Sequence, residues 1–223
     1  TFMLKNGYSG AFLVGFALQD PWMEQFNTTS IPTVLFDNYI RKNPLVGSVG
    51  TDSYEGIDDA ITHLMCLGHT HIGFINGSRN SMISEQRRQA YIKSMTSRAL
   101  PFSEETMPYG YYVADSAKDY TSGLIDQGIT AILCGNDLIA VGVLRECERL
   151  GVSVPGKVSV VGFDDLPLST RTRPALTTIR QDRLELGKSG YYTLHSLLSH
   201  VSISKTLLRP QLMVRSSTAR VCS

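Results

Sequence analysis

Residues 67–75, LGHTHIGFI, contain the junction that decides the fold. Before this junction, residues 55–67 carry apolar side chains three and four positions apart, which is the spacing of one face of an α-helix. Gly68 is of the residue type that most often ends a helix. Residues 72–75, IGFI, then form an apolar run of the length of a buried strand. We therefore predict a helix followed at once by a strand of a covered sheet.

The same alternation of strands and helices extends from this junction in both directions. Further helices are predicted over 84–98, 138–150 and 183–199, and apolar strands over 11–14, 33–36, 131–134, 158–161 and 211–214. Strands that are apolar throughout and alternate with helices are typical of parallel sheets covered on both faces. The predicted fold class is α/β with doubly wound parallel sheets.

Composition and charge narrow the class of protein. The 223 residues are 42% hydrophobic and 18% charged, as in an ordinary globular protein. With 21 basic and 20 acidic residues the net charge is +1, and no basic stripe suited to gripping DNA is visible. We expect any contact with DNA to be made by another part of the molecule.

Targeting signals and cysteines bear on the compartment. No apolar run approaches the roughly 18–20 residues that span a bilayer, and the first residues do not have the pattern of a signal peptide. The cysteines are widely spaced, at Cys66, Cys134, Cys147 and Cys222. This spacing favours reduced, mostly buried thiols in a cytoplasmic protein, with a disulfide framework or a metal site as the alternative.

The motifs that mark common enzymes are absent. The sequence has no GxxxxGK[ST], GxGxxG, HExxH or GxSxG. Asp164 and Asp165 are adjacent, so they do not straddle one bond, and no nucleophile or base accompanies them. His69 and His71 lie two apart where a strand begins and therefore point to opposite faces, which makes a poor metal clamp. We predict no enzyme activity, no cofactor and no metal.

Polar residues follow the predicted strands, where open parallel sheets bind their ligands. Asp37 follows strand 33–36, Asn136 follows strand 131–134, and Asp164 ends the strand that begins at 158. Arg79 follows strand 72–75, and Arg87 and Arg88 lie on the next helix, so at least one arginine is available there. Each group alone has a structural explanation, since Asn136 or Asp137 would also cap helix 138–150. Together they favour a crevice for a ligand rich in hydroxyls or heterocyclic nitrogens.

Several segments share motifs with one family. LGHTHIGFI at 67–75 resembles LGHxxIxFI, NDLIAVG at 136–142 resembles NDxxAxG, SVVGFDD occurs at 159–165, and PALTTIRQ at 174–181 resembles PPLTTIxQ. These are landmarks of the lactose/galactose-repressor (LacI/GalR) family of bacterial transcription regulators, and they occur in order over nearly the whole chain. The chain thus resembles the effector-binding domain of that family.

The resemblance implies a fold like that of periplasmic sugar-binding proteins, with two subdomains and a ligand cleft between them. The implied subdomains are residues 1–51 with 181–208 and residues 52–178 with 211–219, and the implied crossovers lie near 52–53, 178–181 and 209–212. The ligand-binding positions that it implies are Asp37, Arg87, Asn136 and Asp164, together with Tyr112, two residues after a glycine, and Gln181 at a hinge.

The resemblance also implies the partners. The effector would be a sugar or a nucleoside- or purine-like metabolite, the chain a homodimer, and operator DNA would be bound through a helix-turn-helix headpiece that this chain lacks. By the same resemblance, the first strands of the N-terminal subdomain would also be missing, which would expose sheet edges. Because the fold is shared, the alternative is a periplasmic sugar-binding protein of a transporter.

Overall fold

A computed structural model describes residues 2–15, 21–40 and 43–221. The helices are α1 (Phe2–Lys5), α2 (Ser53–Cys66), α3 (Met82–Ser97), α4 (Lys118–Asp126), α5 (Asp137–Arg149) and α6 (Arg183–Leu198). The strands are β1 (Ala11–Leu13), β2 (Thr33–Phe36), β3 (Val46–Thr51), β4 (Ile72–Ile75), β5 (Ala131–Cys134), β6 (Ser159–Asp164), β7 (Thr177–Arg180), β8 (Thr206–Leu208) and β9 (Gln211–Met213).

The chain divides into two compact units. The first unit comprises Thr1–Asp52, Asn80–Ile83 and Asp182–Arg209, and the second comprises Ser53–Arg79, Ser84–Gln181 and Pro210–Ser223. Within the described residues, each unit holds one sheet, with strand order β1-β2-β3-β8 in the first and β4-β5-β6-β7-β9 in the second.

All pairs in the sheet of the first unit are parallel. The prediction of a buried strand at 11–14 is wrong in one respect, because β1 pairs only with β2 in the described chain and lies at the edge of the sheet. Phe12 is consequently 48% exposed, and Val14 lies beyond the strand and is 69% exposed. A strand at the edge of a sheet has a neighbouring strand on one side only, so its apolar side chains can remain exposed to solvent.

The second unit contains a doubly wound sheet. Successive residues of β4 point to opposite faces. Ile72 and Phe74 pack in a core that includes α2 and α3, and Ile75 packs in a core that includes α4 and α5. The strands β4 to β7 are parallel. The predicted α/β class with parallel sheets covered by helices is confirmed.

One strand departs from the predicted parallel arrangement. β9, predicted as a strand over 211–214, runs antiparallel to β7. Its first residue, Gln211, pairs with Arg180, the last residue of β7, so the chain returns to β7 where it left and runs back along it. The apolar pattern predicts that a strand exists there, but strand direction depends on where the chain re-enters the sheet.

One interior strand of the first sheet is not predicted, because its sequence consists largely of glycines and small polar residues. β3 has the sequence VGSVGT, which contains no apolar run, yet all six of its residues are buried. Gly47 has no room for a side chain, since a Cβ atom there would lie 2.5 Å from Cγ2 of Thr193 on α6. The close packing of α6 against β3 therefore requires a residue that resembles a loop residue in sequence.

Among the described cysteines, Cys134 and Cys147 are buried free thiols, as predicted, whereas Cys66 is exposed. Cys222 lies outside the described residues. Every helix in the described parts of the chain is too short or too polar for a membrane span.

His69 joins three segments of the second unit. It follows α2 and is 2% exposed. Its Nδ1 atom lies 2.9 Å from Oγ1 of Thr130, and its Nε2 atom lies 2.9 Å from Oγ of Ser159 and 3.0 Å from the carbonyl oxygen of Ala219. A carbonyl only accepts, so Nε2 carries the proton of the neutral ring. The ring therefore ties the starts of β5 and β6 to the segment around Ala219.

Burial lowers the pKa of His69, which makes its contribution to stability dependent on pH. As the pH falls below about 6.5, histidine in the unfolded chain takes up a proton before the buried ring does, so unfolding is favoured. We expect His69→Gln to lower the free energy of unfolding by about 1–3 kcal/mol at pH 7.5, because buried partners lose a hydrogen bond. The cost should shrink at pH 5, as measured by urea unfolding at both pH values.

His71→Gln is the matched control, because His71 is exposed and its Nδ1 atom lies 3.1 Å from Oγ1 of the neighbouring, exposed Thr70. We expect this variant to match the wild type at both pH values. A cost of His69→Gln that is equal at pH 7.5 and pH 5 would contradict the assigned role.

Candidate functional site

The candidate site lies at the carboxyl ends of the parallel strands of the second unit. β4, β5, β6 and β7 are neighbours in the sheet, so the residues that follow them lie along one edge. Asn136 comes after β5, Asp164 ends β6, and Gln181 follows β7 directly. The sequence thus brings these three predicted site residues to the same edge.

Arg87 reaches this edge from α3. Arg87 is one of the buried residues of this helix, and its side chain is 4% exposed. Nη1 donates a hydrogen bond to the carbonyl oxygen of Gly135, and Nη2 lies 3.9 Å from Oδ1 of Asp164. The guanidinium carbon lies 3.6 Å from the centroid of the Phe163 ring. Arg87 is therefore held between the ends of β5 and β6 with its charge buried.

Asp164 is the centre of a small polar cluster. Its φ of 112° turns the chain sharply at the end of β6. Its Oδ1 atom accepts a hydrogen bond from Nε2 of Gln181 at 2.5 Å and faces Arg87. The three side chains therefore form a connected set, which we call the Arg87–Asp164–Gln181 cluster.

Two polar atoms of this cluster are buried without a hydrogen-bond partner among the described residues. They are Nε of Arg87, a donor, and Oε1 of Gln181, an acceptor. A buried polar group without a partner costs about 1–3 kcal/mol, so folded proteins rarely leave one unmatched. A donor and an acceptor beside one carboxylate match the hydrogen-bonding capacity of a hydroxyl group.

Tyr112 lies beside the end of β4. Its backbone has a φ of 60°, and its hydroxyl lies 2.5 Å from Oγ of Ser84. The ring covers Gly77, where a Cβ atom would lie 1.9 Å from Cζ of Tyr112. Glycine at this position therefore allows the aromatic ring to lie against the backbone after β4.

Asn136 has a structural role in this edge. Its Oδ1 atom accepts a hydrogen bond from the backbone N–H of Ile139 at 2.9 Å, and its Nδ2 atom donates to the carbonyl oxygen of Tyr112 at 3.2 Å. The alternative that Asn136 caps the helix is thus confirmed. The same side chain also fixes the backbone of Tyr112.

The structure brings five of the six predicted residues to one edge of the second unit: Arg87, Tyr112, Asn136, Asp164 and Gln181. Asp37 belongs to the first unit, directly after β2. Its backbone N–H donates to the carbonyl oxygen of Val49 at 3.0 Å, and its φ is 58°. A Cβ atom at Gly50 would lie 3.0 Å from its Oδ1 atom.

Asp137 is a buried carboxylate that the sequence suggests only as an alternative cap. It is fully buried, and it accepts hydrogen bonds from the backbone N–H of Leu166 at 2.7 Å, from Oγ of Ser169 at 2.6 Å and from Oγ1 of Thr178 at 2.5 Å. Burial raises the pKa of Asp137 to about 6, although these three donors oppose the rise, and the charge of Asp164 adds to it.

Asp165 differs from its neighbour Asp164 in its contacts. Its side chain pairs with Arg180 at 2.7 Å and with Arg215 at 2.6 Å. Burial opposes ionisation of Asp165, but the hydrogen bonds and charges of the two arginines outweigh it and lower its pKa. Asp165 is thus a structural ion-pair residue, and only Asp164 belongs to the cluster.

These features define the class of protein as a doubly wound α/β domain with a cluster of polar side chains at the carboxyl ends of its parallel strands. The sequence profile of the periplasmic binding protein-like domain family matches residues 61–218. The chain belongs to that family.

Individual relatives agree with this assignment. The chain is 30% identical over 202 residues to the HTH-type transcriptional regulator MalR of Streptomyces coelicolor, covering 88% of this chain and 58% of the relative. It is 32% identical over 211 residues to the HTH-type transcriptional repressor PurR of Actinobacillus pleuropneumoniae, covering 94% of this chain and 62% of the relative. The chain therefore spans roughly three fifths of these relatives' length.

A solved structure gives the same result for the fold. The lac repressor dimer bound to operator and the anti-inducer ONPF superposes with a TM-score of 0.84 and 27% identity, covering 98% of this chain and 76% of that chain. The resemblance to the effector-binding domain of lactose/galactose-type repressors is confirmed.

Proposed function

We propose that this chain is the effector-binding domain of a bacterial transcription regulator that senses a sugar or a related small polar metabolite. The Arg87–Asp164–Gln181 cluster carries the proposal, because beside one carboxylate it presents a buried donor and a buried acceptor that find no hydrogen-bond partner in the described part of the chain. The relatives described above are transcription regulators, which favours this role over that of a transport protein or an enzyme.

The cluster suits a hydroxyl-bearing ligand. One ligand hydroxyl can accept from Nε of Arg87 and donate to Oε1 of Gln181, and Asp164 accepts from a second donor of the ligand. A pentose, hexose, disaccharide, nucleoside or purine supplies such groups. The half-buried ring of Tyr112 offers an apolar surface at the same edge. Asp37 and Asn136 stay predicted effector contacts that follow from the family resemblance.

The proposal extends to the assembly and to the mechanism. We infer a homodimer that binds operator DNA through a headpiece outside this chain, as the lac repressor dimer binds its operator. We infer a cytoplasmic location, because operator DNA lies there. An effector acts on such a dimer only through its different affinities for two conformational states.

The experiment is a thermal unfolding series of the 223-residue chain with D-ribose, D-glucose, maltose, cellobiose, adenosine and hypoxanthine. A ligand at about 100 times its Kd stabilises the folded state by about 2.7 kcal/mol, which raises Tm by several degrees. We expect at least one of these probes to raise Tm at about 5 mM, with light scattering showing a dimer. A folded chain that responds to none of them would contradict the proposal.

A further inference from the structure

Asp137 is a buried carboxylate, and the charge of a buried carboxylate is usually balanced by a nearby cation. Among the described residues, no lysine or arginine forms an ion pair with it, and its three hydrogen-bond donors are neutral groups. Arg87, at the same edge, instead contacts Gly135 and Asp164. Folding therefore works against the ionised form of Asp137, and a neutral residue there would avoid that cost.

The three donors to Asp137 lie next to the residues of the proposed site. Leu166 and Ser169 follow Asp164 along the chain, and Thr178 lies in β7, which ends directly before Gln181. Asp137 itself follows Asn136 at the start of α5. One carboxylate thus joins the start of α5, the segment after β6 and strand β7.

The sheet makes room for this carboxylate. A Cβ atom at Gly162 would lie 2.3 Å from Oδ1 of Asp137 and 3.2 Å from Oγ1 of Thr178. Gly162 pairs with Thr178 in the register of β6 and β7. Gly162, two residues before Asp164 in β6, therefore leaves the space in which Asp137 reaches Thr178.

We propose that Asp137 is a positioning residue of the effector site, whose ionised carboxylate fixes the ends of β6 and β7 and with them the Asp164–Gln181 hydrogen bond. This inference rests on the proposed function, because it assigns Asp137 to the site that binds the effector. When Asp137 takes up a proton, it has one acceptor fewer for its three donors. The segment after Asp164 and the end of β7 are then held less firmly.

Burial of Asp137, together with the charged group that faces it, sets the pH range of this effect. The carboxylate of Asp164, at the end of β6, opposes a second negative charge on Asp137, whereas the buried thiol of Cys134 in β5 stays neutral because its pKa is raised well above the usual value. The pKa of Asp137 lies at about 6, so the ionised form holds the site above that pH and the protonated form predominates below it.

The test follows the side-chain amide of Gln181 by 1H–15N NMR of the full chain without ligand, between about pH 4.5 and 7.5, a range that brackets the pKa of Asp137. This amide donates to Asp164, and its signal is assigned by its loss in Gln181→Met. We expect it to shift with a midpoint near pH 6 in the wild type and to lose that transition in Asp137→Asn. The transition persisting unchanged in Asp137→Asn would overturn the inference.

Glu146→Gln is the matched control, because Glu146 is a second buried carboxylate on α5 that pairs with Arg149 near the other end of the helix. We expect this variant to keep the transition of the wild type. Loss of the transition in Glu146→Gln would also overturn the inference, because any change of a buried carboxylate on α5 would then suffice.

A second pair of variants keeps the test decisive if Asp137→Asn does not fold. Thr178→Val removes a donor to the ionised carboxylate, so the midpoint should rise by about 0.5–1 pH unit, whereas Thr178→Ser keeps the hydroxyl and should leave it unchanged. Equal midpoints in both variants would overturn the inference. Because these measurements need no ligand, a failure of every probe to bind would count against the proposed function alone.

Discussion

Arg87→Ala is expected to abolish effector binding while the chain stays folded. The substitution removes the donor that contacts Gly135, and with it the cation that Asp164 faces. Loss of a charged hydrogen-bond donor to the ligand costs about 1.5–3 kcal/mol of binding free energy, which corresponds to an affinity loss of about 10- to 150-fold. Asp164→Ala should have an effect of the same order.

The measurement is calorimetric titration with the probe that raises Tm of the wild type, accompanied by circular dichroism. Arg88→Ala is the matched control, since Arg88 is the next residue of α3 and pairs with the exposed carboxylate of Glu104. A surface ion pair contributes about 0–1 kcal/mol, so affinity should be nearly unchanged. Wild-type affinity in both Arg87→Ala and Asp164→Ala would remove the cluster from the site.

Gly142→Ala is expected to destabilise the second unit strongly, although it adds a single methyl group. Gly142 lies on α5, and a Cβ atom there would lie 2.0 Å from the carbonyl oxygen of Ala114 and 2.8 Å from Cβ of Ala117. A backbone oxygen has no rotamer with which to move aside, so α5 or the 114–117 turn has to shift. We expect a loss of about 3 kcal/mol, or roughly 6–12 °C in Tm.

Gly123→Ala, on the neighbouring helix α4, is expected to have the opposite effect and to stabilise the protein. A Cβ atom at Gly123 meets nothing within 4 Å. Alanine is favoured over glycine in a helix by about 1 kcal/mol, so this variant should raise Tm. Thermal unfolding of both variants decides the matter, and a loss of stability of similar size in both would show that the close contact at Gly142 is not the cause.

The elements that are predicted correctly are those whose own residues show the apolar pattern of a buried strand or helix. β4 and β5 are short apolar runs, and α5 has an apolar face with a polar cap before it, so local pattern is sufficient for them. β3 escapes prediction because α6 packs so closely that Gly47 is required, and this packing is not visible within β3 itself. The direction of β9 depends on the path of the whole chain.

The residues of the site divide in the same way. Asp164 and Asn136 can be predicted because they follow apolar strands, whereas Arg87, Tyr112 and Gln181 need the family resemblance for their selection. The sequence does not distinguish Asp137 from any other helix cap. The structural role of Asp137 depends on hydrogen-bond donors that lie 29 to 41 residues further along the sequence and on the space left by Gly162. These come together only in the folded sheet.

The contacts of His69 with Ala219 have a practical consequence for protein engineering. The backbone N–H of Val221 also donates to the carbonyl oxygen of Leu67, and His63 lies 3.0 Å from Oγ1 of Thr218. Residues 218–221 are thus hydrogen-bonded to α2 and to the residue that follows it. An affinity tag or fusion partner joined at residue 217 would remove these hydrogen bonds, so such a junction belongs after residue 221.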